Sequence, residues 1–179
     1  DLKLSRGLGD VYKRQGVIDK STEIVDICIK EAGKTKPDAE AELDRAIQAL
    51  THASGIQHFY PAHISRNVAG NIDIADMRYP IGVVAGVGPF NFPILIPILH
   101  SSMALVTGNT HIAKPSEKVP SISRLYADIY KDVGLPDGCY NVINGGKDIV
   151  EYIVSHQKVD GLAFIAVSYT HLRAHETAS

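Results

Sequence analysis

The chain has 179 residues, enough for one domain with its own core and too few for two large ones. Hydrophobic residues make up 45% and charged residues 21%, which argues against disorder, and a net charge of −2 gives no broad pull toward nucleic acid or an acidic membrane. Two cysteines, Cys28 and Cys139, exclude a disulfide scaffold and a zinc ribbon, and with no secretory leader they fit a reducing compartment.

Residues 1–15 show no period of 2 or 3.6, and neither does the stretch 166–179 that follows directly on an apolar strand. Both ends resemble translated sequencing-adapter read-through, in Arg6–Gln15 and Ser168–Thr177. They are expected to be non-native extensions and to stand outside the fold. His171 and His175 have the spacing of a helical metal pair, but in such a tail the spacing carries no site.

From Lys20 to Tyr60 apolar residues recur at helical spacing: Ile24, Ile27 and Cys28, then Leu43, Ala46, Ile47 and Leu50. Gly33 and Pro37 divide this stretch into two helices, with Asp38 and Glu40 placing negative charge near the start of the second. Helices are therefore expected over 16–65. Residues 66–78 alternate at Val68, Ile72 and Ile74, the pattern of a hairpin. No Asp, Glu, Lys or Arg lies between Arg78 and Lys114, but Gly86, Gly88, Pro89, Asn91, Pro93 and Pro97 interrupt the apolar run. That pattern predicts a buried strand, turn and helix rather than a membrane span.

Beyond Arg78 the pattern becomes rhythmic. Strands are expected at Ile81–Val87, Thr110–Ala113, Tyr140–Ile143 and Val159–Ile165, separated by helices at Pro93–Val106, Ser121–Val133 and Asp148–Ser155. The predicted fold class is α/β: a parallel, Rossmann-like sheet of βαβ units over 79–165, preceded by a helical segment and a β-hairpin.

Ligands on such a sheet bind beyond the carboxyl ends of the strands. After the first strand, Gly86-x-Gly88 starts a dinucleotide fingerprint, but Asn91 stands at the third glycine position, so the standard pyrophosphate loop is missing. Gly145-Gly-Lys147 lacks the remaining residues of a P-loop. At the end of the second strand, Lys114 and Glu117 offer a donor and an acceptor where an adenosine ribose would lie. The same residues also fit a plain capped turn in which Ser116 opens a helix, and the residues alone leave both open.

Taken together, Arg66–Asn71, Arg78–Gly82, Gly88-Pro-Phe-Asn-Phe-Pro93, Lys114–Pro120 and Leu135–Gly138 resemble the amino-terminal half of the aldehyde dehydrogenase superfamily, nearest its coenzyme A-acylating methylmalonate-semialdehyde branch. The resemblance covers residues 16–165 and implies an incomplete aldehyde dehydrogenase-like fold, with 66–78 as an oligomerisation hairpin and 79–165 as a partial NAD-binding domain. By the same resemblance Asn91 is the oxyanion asparagine, whose amide would hold the oxygen that gains charge when a thiolate attacks an aldehyde. The alternative for Asn91 is a turn residue bonded to its own backbone. Gly88 and Phe90 would line NAD, Lys114 and Glu117 would bind the ribose, Lys118 would sit near the adenosine, and Gly145 would let the cofactor approach the backbone.

The family reaction passes a hydride to NAD and the acyl group to coenzyme A. Its substrate is a small aldehyde and its partner in the intact parent a second copy of itself, with no nucleic acid or membrane. The compartment implied is the cytoplasm, or the mitochondrial matrix for a eukaryotic parent. In the family the strand matching Leu162–Ile165 leads into a Gly-Ser turn and a phosphate-binding helix, where this chain reads Ala166-Val167. The family's nucleophilic cysteine and general-base glutamate lie further on and are not matched here, so the fragment is expected to be inactive. Cys28 and Cys139 read as small hydrophobes, and His52, His58, His63, His100, His111 and His156 show no spacing of a triad or metal site. An unpaired hairpin edge is an expected aggregation risk.

Overall fold

The computed structural model describes residues 2–56 and 63–165. His58, the end of the helical stretch expected to reach Tyr60, and the tail with His171 and His175 lie outside the described residues. Three helices open the chain: α1 (Leu2–Asp19), α2 (Ser21–Ala32) and α3 (Lys36–Ser54). Helix α1 crosses the boundary expected at residue 16, and its second half packs into the protein, with Val17 fully buried and Lys13 almost so. Hydropathy hides its period because one inward position is a lysine. The Lys13 ammonium lies 5.7 Å from the centroid of the Tyr130 ring, and an aromatic face tolerates the charge that an aliphatic core would not.

Helix α2 stops at Gly33, whose N–H donates to the Ile29 carbonyl at 3.1 Å. Helix α3 starts at Thr35, whose Oγ1 accepts from the Asp38 N–H at 3.4 Å, with Pro37 in the first turn. A hairpin of β1 (Ile64–Ala69) and β2 (Ile72–Ala75) follows, two residues earlier than expected at its start. Asn67 holds its turn, accepting from the Asn71 N–H on Oδ1 at 3.1 Å and donating its own N–H to Asp73 Oδ1 at 2.9 Å. Both strands are exposed along their whole length.

The rest is one parallel sheet of β3 (Val83–Val87), β4 (Thr110–Lys114), β5 (Tyr140–Val142) and β6 (Gly161–Phe164) in the order β5-β4-β3-β6. The connecting helices are α4 (Leu95–Val106), α5 (Ser121–Asp132) and α6 (Lys147–Ser155). The chain steps outward from β3 to β5 and then crosses back to the other flank of β3. That reversal makes the carboxyl end of β3 the topological switch point, where such sheets open a crevice. Helices α4 and α5 pack on the sheet, and α1 and α3 lie over them; right-handed crossovers put α6 on the opposite face.

The core between helices is partly aromatic. Tyr126 stacks on Tyr130 at 6.4 Å and Tyr130 meets Tyr140 edge-on at 5.0 Å. The buried hydroxyls find partners: Tyr126 Oη donates to the Ile94 carbonyl at 3.1 Å, and Tyr130 Oη lies 3.2 Å from Ser101 Oγ. Neither α4 nor α5 carries its own capping side chain. Carboxylates from the amino-terminal helices serve instead. Glu42 Oε1 accepts from the Ile94 and Leu95 N–H groups, both at 2.8 Å, and Glu31 accepts from the Ser121 N–H at 3.2 Å and from its hydroxyl.

Under β3 two histidines meet. A Cβ on Gly86 would approach His111 Cε1 to 2.7 Å and His100 Nδ1 to 2.8 Å, so glycine is what lets both rings lie there. His111 is fully buried and neither of its ring nitrogens has a hydrogen-bond partner. Burial, followed by the neighbouring His100, pushes it down to about 3; the Val84 backbone acts the other way without reaching hydrogen-bond geometry. Burial pushes His100 down to about 4.

The unfolded chain takes up these protons near the ordinary value of 6.5 while the folded chain does not, so stability from the pair is intact above that pH. It is lost as pH falls from 6.5 toward 4 and then 3. We predict that the urea midpoint, followed by tyrosine fluorescence, drops between pH 7 and 5 by the equivalent of roughly 3 kcal/mol, and that His111→Leu removes about half of the drop. An unchanged midpoint over that interval would show the rings are not held neutral.

Candidate active site

The segments after β3 and β4 meet at the carboxyl edge of the sheet. The Gly88 N–H donates to the Lys114 carbonyl at 3.0 Å, carrying the ladder one step past the last strand pair, Val87 with Lys114. Beyond it, Phe90 is 40% exposed and lies under Lys118, whose Nζ is 4.8 Å from the ring centroid. Lys114 itself is buried, and its Nζ stands 3.5 Å from Glu117 Oε2, whose side chain is 61% exposed. The Glu117 carboxyl is held below its ordinary value first by its own backbone N–H and then by Lys114 and Lys118, against the effect of burial. Gly88 and Lys114 line one small crevice with Pro97, His100 and Pro115, while Phe90, Glu117 and Lys118 join them only pairwise, through the Phe90–Lys118 and Lys114–Glu117 contacts.

The segment after β4 is a turn, and α5 begins only at Ser121. Ser116 therefore does not open a helix; its Oγ accepts from the Lys118 N–H at 3.3 Å and shapes the turn that presents Glu117 and Lys118. Asn91 sits between Phe90 and Phe92, with its Oδ1 buried and without a partner. An asparagine that stabilises its own turn accepts a backbone N–H on that oxygen. Asn91 does not, so its amide is not committed to the local backbone.

Gly145 lies one strand further out, after β5. A Cβ there would collide with the Ile149 side chain of α6. Its lack of a side chain is thus explained by helix packing within the chain. Gly88 is the opposite case: a Cβ there would meet only Ile96 Cγ2, at an ordinary 3.8 Å. Among the described residues nothing requires glycine at 88.

Sequence reasoning missed Lys34 and Glu42, which reach the same loop from the helical layer. Lys34 Nζ is 4.7 Å from the Phe92 ring centroid and 2.6 Å from Glu42 Oε2. The available signal was a carboxylate inside the apolar stripe Ala39, Leu43, Ala46 and Leu50 of α3. For the His100–His111 pair there was none, since a helix and a strand bring the two together. Cys28 is buried and its thiol is pushed up to about 11, by burial first and then by Glu42, against Lys34. Cys139 is half-buried at the entry to β5. Among the described residues no cluster of three His, Cys, Asp or Glu side chains could hold a metal, and no helix is long and apolar enough to cross a membrane.

Residues 13–179 match the model of the aldehyde dehydrogenase family. The chain is 37% identical over 152 residues to a malonate-semialdehyde dehydrogenase of Lacticaseibacillus casei, covering 85% of this chain and 31% of that protein. A crystal structure of methylmalonate-semialdehyde dehydrogenase from Oceanimonas doudoroffii superposes with a TM-score of 0.91 at 34% identity, covering 98% of this chain and 36% of the other. A Sinorhizobium meliloti 1021 relative complexed with NAD also gives a TM-score of 0.91, at 31% identity and the same coverage. The chain thus spans about a third of the length of these relatives. By the extent of the family match and the fold that carries it, the chain belongs to the aldehyde dehydrogenase family.

Proposed function

We propose that this chain provides the adenosine side of the cofactor site and the oxyanion amide of an NAD-dependent dehydrogenase acting on malonate semialdehyde or its methyl derivative, with coenzyme A as acyl acceptor. The observation that supports this is the set of contacts at the ends of β3 and β4, where Gly88 is bonded to Lys114 and Lys114 is paired with Glu117, together with an Asn91 whose buried Oδ1 has no partner. The chemistry of these donors fits a dinucleotide. The Lys114 ammonium would donate to one ribose hydroxyl and the Glu117 carboxylate, kept ionised by its neighbours, would accept from the other. Phe90 and Gly88 would line the cofactor and Lys118 would stand near the adenosine; bound NAD supplies the hydride acceptor. Gly145 would act by admitting α6 close to β5 as well as leaving backbone within reach of the cofactor.

Asn91 is the catalytic contribution. Its amide N–H groups are preorganised dipoles with no proton to lose, suited to an aldehyde oxygen that gains charge on nucleophilic attack. Neither cysteine serves as that nucleophile: Cys28 remains a buried thiol at neutral pH, and no base is matched to Cys139. The exposed hairpin β1–β2, with Ile64, Val68, Ile72 and Ile74 at its surface, supports self-association of the intact enzyme. Relatives named as mitochondrial and others from bacteria support a matrix or cytoplasmic setting.

Two measurements test this function. The 179-residue chain, mixed with malonate semialdehyde, NAD and coenzyme A, is expected to form no NADH above background. A chimaera in which residues 16–165 replace the matching segment of the Lacticaseibacillus casei relative should form NADH and a thioester. Asn91→Ala should lower its kcat about 10²–10³-fold, equivalent to roughly 3–4 kcal/mol of barrier. Wild-type turnover in the Asn91→Ala chimaera would end the oxyanion assignment, and free acid in place of thioester would mark a non-acylating enzyme.

Gly86 within β3 and Gly88 just beyond it give a second test. Gly86→Ala is expected to destabilise the chain by about 1–3 kcal/mol through overpacking against the histidines. Gly88→Ala should leave stability within about 1 kcal/mol of the parent while weakening NAD retention by the chimaera. Equal thermal losses in the two variants would remove the argument for open space at Gly88.

A further inference from the structure

Asn91 is bracketed more tightly than its solvent-facing neighbours suggest. Phe90 lies under Lys118 from the β4 side and Phe92 under Lys34 from the helical layer, so the aromatic ring on each side of the asparagine is covered by a lysine from a different element. Downstream, the loop is anchored within three residues. Glu42 Oε1 takes the N–H groups of both Ile94 and Leu95, while Tyr126 Oη bonds the Ile94 carbonyl. Glu42 is 3% exposed, and its second oxygen is held by Lys34 Nζ at 2.6 Å. One ammonium therefore fixes both the carboxylate that anchors the loop and the ring next to Asn91.

We propose that Lys34 and Glu42 are positioning residues for Asn91: as a partly buried ion pair on the start of α4, they set where the Asn91 amide points. This rests on the oxyanion role for Asn91 only in giving the position a purpose; the geometry itself can be measured without cofactor or substrate. The requirement is strict because a displacement of about 1 Å in a catalytic group costs on the order of 10²-fold in rate. Lys34 and Glu42 touch no reacting atom. They act through the loop.

The test uses the isotope-labelled 179-residue chain and its variants Lys34→Met, Glu42→Gln and Glu42→Ala, read by NMR and by thermal unfolding. Lys34→Met keeps an apolar stem beside Phe92 and removes the charge, so it is expected to lower the thermal midpoint, by leaving the Glu42 carboxylate without its cation, and to move the side-chain NH2 pair of Asn91. The NH2 pairs of Asn109 and Asn141, far along the chain from this loop, should hold. In Glu42→Gln, hydrogen exchange at the Ile94 and Leu95 amides should rise about tenfold or more as the charge-assisted bonds weaken. That variant, which retains an acceptor oxygen, should displace Asn91 less than Glu42→Ala does. If Glu42→Ala does not fold, the other two variants decide. The proposal is overturned if the Asn91 pair is unmoved in both, or moves only together with those of Asn109 and Asn141. NAD titration reports separately: a chain that shows the Asn91 displacement yet gives a chimaera without NAD binding keeps the positioning role and loses the cofactor site.

Discussion

Two carboxylates buried or half-buried between layers hold this fold together. A helix start leaves its first N–H groups without partners, and α4 and α5 are preceded by Ile94 and Pro120, neither of which supplies a capping side chain. Glu42 of α3 and Glu31 of α2 reach across from the helical layer and take those donors. Leaving such a donor buried and unmet costs about 1–3 kcal/mol, and a buried carboxylate that loses its partners costs more. The amino-terminal helices are therefore built into the sheet domain rather than appended to it. Val17, Ile24 and Leu50 belong to the same continuous core as Ile98 and Ile122.

The consequence for chemistry lies in what precedes each capped helix. The loop from Gly88 to Pro93 ends at the Glu42 cap, and the turn from Lys114 to Pro120 ends at the Glu31 cap. Each segment is fixed at its start by the parallel ladder and at its end by a carboxylate from another layer. Between those fixed points, Pro89 and Pro93 narrow the freedom of one loop, and Ser116 bonds the backbone of the other. Residues at a switch point gain precision from this arrangement, because a site on loops is only as well placed as the ends of those loops.

Local chemistry made most of the architecture legible. Apolar runs bounded by Gly and Pro placed the strands and helices from Ile81 onward to within a few residues, since their pattern records burial on one side or both. The boundaries that slipped are those set from elsewhere. Strand β6 starts at Gly161 rather than Val159, where the Asp160 carboxylate instead takes the Val83 N–H at 2.8 Å and ties the two strand entries together. Helix α1 was unreadable because Lys13 occupies an inward position, where the ring it lies near, Tyr130, is distant in sequence. Glu42 and its bond partners stand 52 and 53 residues apart, Glu31 and Ser121 stand 90 apart, and no window of sequence relates them. For the site, the ends of β3 and β4 were readable as neighbours from the βαβ rhythm; the lysine covers on Phe90 and Phe92 were not.

The interrupted fingerprint Gly86-x-Gly88-x-x-Asn91 is best understood as three positions with three separate duties. Gly86 serves the interior, where a side chain would displace the His100 and His111 rings. Gly88 lies at the strand's end, where among the described residues a Cβ would meet only Ile96, at ordinary contact distance. In a dinucleotide loop the third glycine lets a helix pack closely on its strand. Here α4 does not begin until Leu95, and its start is secured by Glu42. Close packing at position 91 is then unnecessary. A polar side chain can occupy it without loosening the helix, which is the condition under which an amide can stand at the carboxyl end of this sheet.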